Sequence, residues 1–314
     1  MPTRDVRPVR PARPRRPSAG ARRTRRLRLA TTLLVTGVVV AGAAVWVARD
    51  PDAPVVVERC TATVDGESTS MSPEQAANAA TVVGLSVRRD LPARAATIAI
   101  ATIVQESGMR NLDHGDRDSL GLFQQRPSQG WGTPEQVQDP VFATNAFYDA
   151  LVEVDGYRDM PITDAAQRVQ RSGFPLAYGD HEDEGRLIAS ALTGYSPRGF
   201  SCHLREAPRS QVSGDDVQLS PQAQRVADAA TTQVTTATPR VVAGTRGRAL
   251  EFELDGDARL AWAVAGWAVA SAAAYDVTEV SVEGARWTRS ASGRGWTDAA
   301  TGLPRGGVQI RLGV

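Results

Sequence analysis

Glu106 closes a long apolar run, Ala93–Gln105 (ARAATIAIATIVQ), and is followed at once by Ser107 and Gly108. A carboxylate at the mouth of a buried helix is partly desolvated, which disfavours its charged form and raises its pKa. A general acid that must hand a proton to a leaving-group oxygen near neutral pH needs that shift. Acetal cleavage also uses a second carboxylate when a water has to be positioned. The polar stretch after Glu106 offers Asp113, Asp116 and Asp118 for it. Turn formation and loop solubility account for those three aspartates equally well. Beyond them lies Ser119-Leu120-Gly121-Leu122-Phe123-Gln124-Gln125, a Gly-Leu-aromatic-Gln turn.

These residues need a scaffold, and the pattern supplies helices. Ser72-Pro73-Glu74-Gln75 places a capping Ser, a first-turn Pro and a Gln three residues after the cap, so a helix is expected over Pro73–Leu85. Pro92 opens the next, Ala93–Glu106, and Pro134 and Asp139-Pro140 mark further starts. Val141–Val154 is periodic, with Phe142, Ala146, Phe147, Ala150 and Leu151 on one face; Thr163–Arg171 and Glu182–Thr193 complete the set. The segment Leu112–Phe123 reads as a small hairpin or loop. Cys60 and Cys202 bracket this region, and a single disulfide between them would tie the ends of one domain together; two free thiols are the alternative.

The organisation expected is α+β and multidomain. Residues 1–28 form a basic leader, 29–48 a transmembrane helix, 49–59 a stalk, 60–204 a mostly helical domain, 205–216 a linker and 217–314 a small α/β domain. In the last, a helix from Ser220-Pro221 to about Thr232, a strand Arg248–Leu254, a long helix Asp257–Ala274 and strands Val277–Val282, Arg286–Thr288 and Val308–Leu312 are expected. The run Leu29–Ala48 carries no charge and is long enough to span a bilayer core. Eleven Arg against the single Asp5 in the first 28 residues keep that end in the cytoplasm and the rest outside. A cleaved signal peptide is the rival reading. The chain is +1 overall and the leader carries a surplus of ten positive charges, so the remainder is −9, which argues against nucleic acid as a partner.

The span 103–133, IVQESGMRNLDHGDRDSLGLFQQRPSQGWGT, resembles the lysozyme-like superfamily, in particular its soluble lytic transglycosylase and goose-type lysozyme branch. The matching residues are Glu106-Ser107, Ser119 and Gly121-Leu122-Phe123-Gln124, with Phe where the family has Met. The family's Ala-Tyr-Asn-x-Gly turn is met only by Ala177-Tyr178-Gly179-Asp180, which lacks the Asn. The resemblance implies that Glu106 protonates a glycosidic oxygen. It implies that Ser119 and the turn Gly121–Gln124 line a cleft, with backbone groups and the Gln124 amide on N-acetyl groups, and that Tyr178 hydrogen-bonds Glu106. Trp131 and Tyr195 would stack on sugar faces. The implied partner is the peptidoglycan strand, cut between N-acetylmuramic acid and N-acetylglucosamine without a cofactor, by hydrolysis or by 1,6-anhydro-forming transglycosylation. The alternative is a catalytically weak peptidoglycan-binding or structural envelope protein.

The C-terminal part more distantly resembles a zinc D,D-peptidase or hedgehog-type fold of the kind appended to actinobacterial ectodomains. The stretches that carry this are Gly247–Glu251, Arg286-Trp287, Gly295-Trp296 and Val308–Ile310. No His follows His203; Glu251 stands at the family's Asp, and Gly307 and Gln309 stand where a His would be. One carboxylate cannot hold zinc, so this copy is expected to be metal-free. The chain has no Lys, and with its Ala and Val richness this matches a GC-rich, actinobacterial coding bias.

Overall fold

The computed structural model describes residues 56–207, 220–244 and 247–313. The basic leader, the expected transmembrane helix Leu29–Ala48, most of the stalk and linker positions 208–216 lie outside the described residues. Among the described residues no helix is long and apolar enough to cross a membrane.

The fold is α+β. A hairpin opens it: β1 (Arg59–Val64) and β2 (Glu67–Met71) pair antiparallel, with Cys60 opposite Met71. Asp65 and Gly66 make the turn, both at positive φ (52° and 87°), as a two-residue type I′ connection demands. β3 (Phe200–His203) adds to the other side of β1 and puts Cys202 directly across from Cys60. The two are bonded, with Cα atoms 3.9 Å apart. That is closer than the usual disulfide range of about 4.4–6.8 Å and than the roughly 4.5–5.5 Å between facing residues of an antiparallel ladder. Arg59, assigned to the stalk by the sequence, is therefore the first strand residue.

Helices α1 (Pro73–Arg88) and α2 (Ala93–Ser107) follow. The capping box at the start of α1 forms as the sequence requires: Ser72 Oγ accepts from Gln75 N–H, and Gln75 Oε1 accepts from Ser72 N–H. α2 stops because Gly108 turns left-handed (φ 60°) and returns its N–H to Val104 O. Four shorter helices follow: α3 (Pro134–Gln138), which packs on α4 (Pro140–Val152), and α4, α5 (Ile162–Gln170) and α6 (Glu182–Leu192), which pack on α2. The loop 112–125 is a small hairpin, with bridges Leu112↔Gly121 and Leu120↔Gln125.

The C-terminal part is an antiparallel sheet of six strands ordered β4 (Arg240–Gly244), β5 (Gly247–Glu253), β9 (Gly307–Leu312), β6 (Val277–Val282), β7 (Ala285–Thr288) and β8 (Thr297–Asp298). Helix α7 (Pro221–Gln233) precedes it. The expected long helix over 257–274 is two: Ser271 leaves helical geometry (ψ 5°) and separates α8 (Ala258–Ala270) from α9 (Ala272–Tyr275).

The described residues form one compact unit. Helix α1 is buried on nearly every side because α2 covers one face and α8 the other. A Cβ on Gly84 of α1 would sit 2.8 Å from Gln233 O, so the approach of α7 requires Gly there. The sheet also grips β3: Trp287 Nε1 donates to Cys202 O (3.2 Å), Trp296 Nε1 to Phe200 O (2.7 Å), and Ser292 Oγ accepts from Leu204 N–H (3.0 Å). The C-terminal sheet thus completes the core of the helical part.

Candidate functional site

The C-terminal end of α2 delivers Glu106 into a cleft of about 560 Å³. Ser119, Gln124, Gln125, Trp131, Gln170 and Phe174 are among the residues lining it. Ser107, next to the acid, points the other way and donates to Leu122 O (2.7 Å), tying the helix end to the Gly121–Gln124 turn. That turn depends on Gly121, whose φ is +78° and whose Cβ would lie 2.2 Å from Val137 O. Leu122 and Phe123 fill the core, Phe123 stacked on Phe147 at 4.6 Å between centroids.

Glu106 is half-buried. Tyr178, itself buried, donates its hydroxyl to Glu106 Oε1 at 2.6 Å, and the Gln170 amide lies beside the carboxylate on the cleft wall. Burial raises the pKa of Glu106 above its ordinary value, and the Tyr178 bond and the adjoining Gln170 amide partly oppose that rise. No cation contributes to the balance. The phenol of Tyr178 is pushed well above its ordinary value by burial first and by the adjoining carboxylate second. A protonated carboxyl, held in one orientation and open to a cleft, can donate a proton to an oxygen that docks within hydrogen-bond reach of it.

The three loop aspartates separate. Asp118 accepts from Ser128 N–H (2.8 Å), Arg126 Nε (2.8 Å) and Ser128 Oγ (3.0 Å). Those bonds, the backbone one first, hold its carboxyl well below the usual carboxylate range and make it a loop staple. Asp113 pairs with His114 on the surface (2.8 Å). Asp116 lines the cleft with Glu106.

The other expected site residues divide as follows. Ser119, Gln124, Trp131 and Tyr178 gather around Glu106. Gly121 and Leu122 shape the turn without presenting a side chain to the cleft. Gln124 lines the cleft, but its amide N–H groups are spent on its own loop, donating to Gly121 O (3.1 Å) and His114 O (3.3 Å). Its backbone sits at φ 48°, a conformation the turn imposes. Tyr195 does not join the cleft. It is 61% exposed, lines a separate hollow with Arg186, Leu187 and Ser190, and lies under the Arg259 guanidinium at 5.3 Å. It sits beyond α6, in the turn leading to β3, which points it at the C-terminal part instead.

Gln170 and Phe174 were not expected. Gln170 donates to Phe123 O (2.7 Å) and lines the cleft with Glu106, so it stitches α5 to the turn. Nothing in the sequence around it marks that role. Trp131, Gln170 and Arg171 also line a second hollow of about 770 Å³, together with Ala150, Glu153, Val154 and Arg168.

In the C-terminal sheet, the positions where the resemblance puts metal ligands hold a polar ladder. Glu251 and Gln309 are register partners. Glu251 accepts from Gln309 Nε2 (3.2 Å) and Arg240 Nη2 (2.5 Å). Arg311 Nε donates to Glu279 (3.2 Å), which also faces Arg286 (3.5 Å). Among the described residues no group of three His, Cys, Asp or Glu is placed to hold a metal ion.

No protein-family model matches the chain, and no curated protein matches it either.

Proposed function

We propose that this chain is a membrane-anchored cell-wall glycosidase that cuts the N-acetylmuramic acid–N-acetylglucosamine bond of peptidoglycan, with Glu106 as its general acid. The observation that carries the reading is the environment of Glu106: a half-buried carboxyl with no cation partner at a helix end, oriented by Tyr178, in a cleft with Trp131 on its wall. Glu106 gives its proton to the glycosidic oxygen as the C1–O bond breaks, and the developing oxocarbenium is captured by water or by the sugar's own C6 hydroxyl. Either nucleophile returns a proton to Glu106, so one carboxylate serves both routes. Asp116 is the cleft carboxylate that a water-positioning role would use. In this reading Leu29–Ala48 anchors the chain and residues 56–314 stand outside the membrane.

The test is incubation of the chain with purified peptidoglycan and identification of released muropeptides by mass. Anhydro-muropeptides indicate transglycosylation and reducing ends indicate hydrolysis. Release undiminished by Glu106→Gln would overturn the assignment.

A further inference from the structure

Between α5 and Tyr178 the chain runs along the rim of the Glu106 cleft as Arg171-Ser172-Gly173-Phe174-Pro175-Leu176. Its tip is apolar and outside the core: Phe174 and Leu176 are each 76% exposed. A free Phe side chain lowers its free energy by folding onto the nearest apolar surface. Here the backbone of the loop is held in place, away from the core. Gln167 Nε2 donates to Ser172 O (2.9 Å), Thr163 Oγ1 to Pro175 O (2.7 Å), Phe174 N–H to Ser172 Oγ (3.2 Å) and Ala177 N–H to Phe174 O (3.2 Å). The first two bonds come from α5, so the loop is fixed to a helix. Of the two tip residues, Phe174 is the one lining the cleft. A large aromatic face on the wall of a cleft is a surface on which a ligand with an apolar face can pack.

The rest of the cleft says what kind of surface that is. Around Glu106 it is polar, with Ser119, Gln124, Arg117 and Arg171 on its walls, and Trp131 stands among them half-buried. A ligand with flat C–H faces and a rim of hydroxyls meets both demands, and a pyranose ring has that shape. Trp131 borders both the Glu106 cleft and the second hollow. We propose that Phe174 is a sugar-stacking wall of this cleft, acting with Trp131 on the ring that lies beside Glu106. The inference rests on the glycan reading of the cleft.

Calorimetric titration of the full-length Glu106→Gln chain with N-acetylglucosamine oligomers of two and six rings tests it, since that variant binds without turnover. The six-ring oligomer should bind, Phe174→Ala should weaken it by about tenfold, and Phe174→Trp should restore it. Leu176→Ala, which alters the same loop away from the cleft, should bind like its parent. Unchanged binding in Phe174→Ala, or equal losses in Phe174→Ala and Leu176→Ala, overturns the stacking role. Because Phe174 is exposed, its truncation should leave the melting temperature unchanged, and a melting loss in Phe174→Ala that Phe174→Trp repairs without repairing binding also overturns it. Failure of the two proposals is distinguishable. Phe174-dependent binding in a protein that releases no muropeptides keeps the stacking wall and removes the cleavage. Cleavage by the unaltered chain with a KM that Phe174→Ala leaves alone does the reverse.

Discussion

The helical part and the C-terminal sheet both hold acids away from water, and they use them differently. In the sheet, Glu251 and Glu279 are each about 8% exposed, and each has guanidinium partners: Arg240 for the first, Arg286 and Arg311 for the second. Such carboxylates are neutralised in place and contribute to the ladder they sit in. Glu106 is less buried than either, yet no cation shifts it; its neighbours are a phenol and an amide. Burial by itself does not make a proton donor. Burial without a counter-charge, next to open space, does.

That contrast breaks most sharply at Glu106 itself. Glu106→Gln removes the transferable proton and little volume, and the rate of wall degradation should fall by about 10²–10⁴. Muropeptide release measured against the unaltered chain checks this, and circular dichroism should show the same fold in both.

The next largest effect lies where the two regions meet. Cys60–Cys202 closes a loop 142 residues long in sequence separation. Loop-entropy reasoning assigns such a bridge about 4–5 kcal/mol. Replacing both cysteines by Ser should lower unfolding stability by about that much in a denaturant titration. A loss confined to a few tenths of a kcal/mol would mean that the β1–β3 ladder and the sheet behind it hold the strands without help.

The sheet's own hold on that strand is smaller and separable. Trp287 is fully buried and donates to Cys202 O. Trp287→Phe keeps most of the ring but strands the carbonyl, at a cost of about 1–3 kcal/mol. If the C-terminal part only adjoined the helical part, the melting of β3 would not respond; hydrogen exchange at Ser201–His203 reports it directly.

How much of this was legible in the chain differs between the regions for physical reasons. Helix starts are local: Ser72, Gln75 and Pro73 lie within four residues, and the cap they predict is the one observed. Glu106 was legible because a helix end and the Gly121–Gln124 turn are both short-range patterns. β1, β2 and β3 were not. RCTATV and ESTSM are short and half polar, and β3 pairs with a strand 142 residues away in sequence, which no local window sees. Asp65-Gly66 was the available hairpin signal. Tyr195 and Phe174 fail in opposite senses for one reason. Periodicity says nothing about loops, so an aromatic there can face the cleft or leave it, and only the hydrogen bonds of its backbone decide.

Tyr178 sharpens the comparison from the side of the acid. Its hydroxyl donates to the carboxylate and favours the ionised form. Tyr178→Phe removes that donor, so the pKa of Glu106 should rise further. The acid must be protonated to act, and the basic limb of a kcat/KM profile reports its pKa. That limb should move to higher pH in Tyr178→Phe, with the melting temperature little changed. A limb that moves to lower pH, or not at all, would show that the profile is set by another group.

The smallest effect is on stability, and its sign is opposite to the usual one for a carboxylate. Glu106 has a folded pKa above its ordinary value of 4.5 because burial penalises its charge. Well below that value, folded and unfolded chains both keep the proton and the group costs nothing. As the pH climbs, the unfolded chain ionises more readily, so folding loses stability until the folded carboxyl ionises too, and the loss persists above both values. Gln carries no such penalty and still accepts from Tyr178 through its amide oxygen. At pH 7 Glu106→Gln should therefore melt higher than the unaltered chain, and the difference should vanish near pH 3.5, about a unit below the ordinary value. Scanning calorimetry at the two pH values decides it. A variant whose advantage grows toward acid pH would show that the fold favours the ionised form of Glu106, and would remove the ground for treating it as a proton donor.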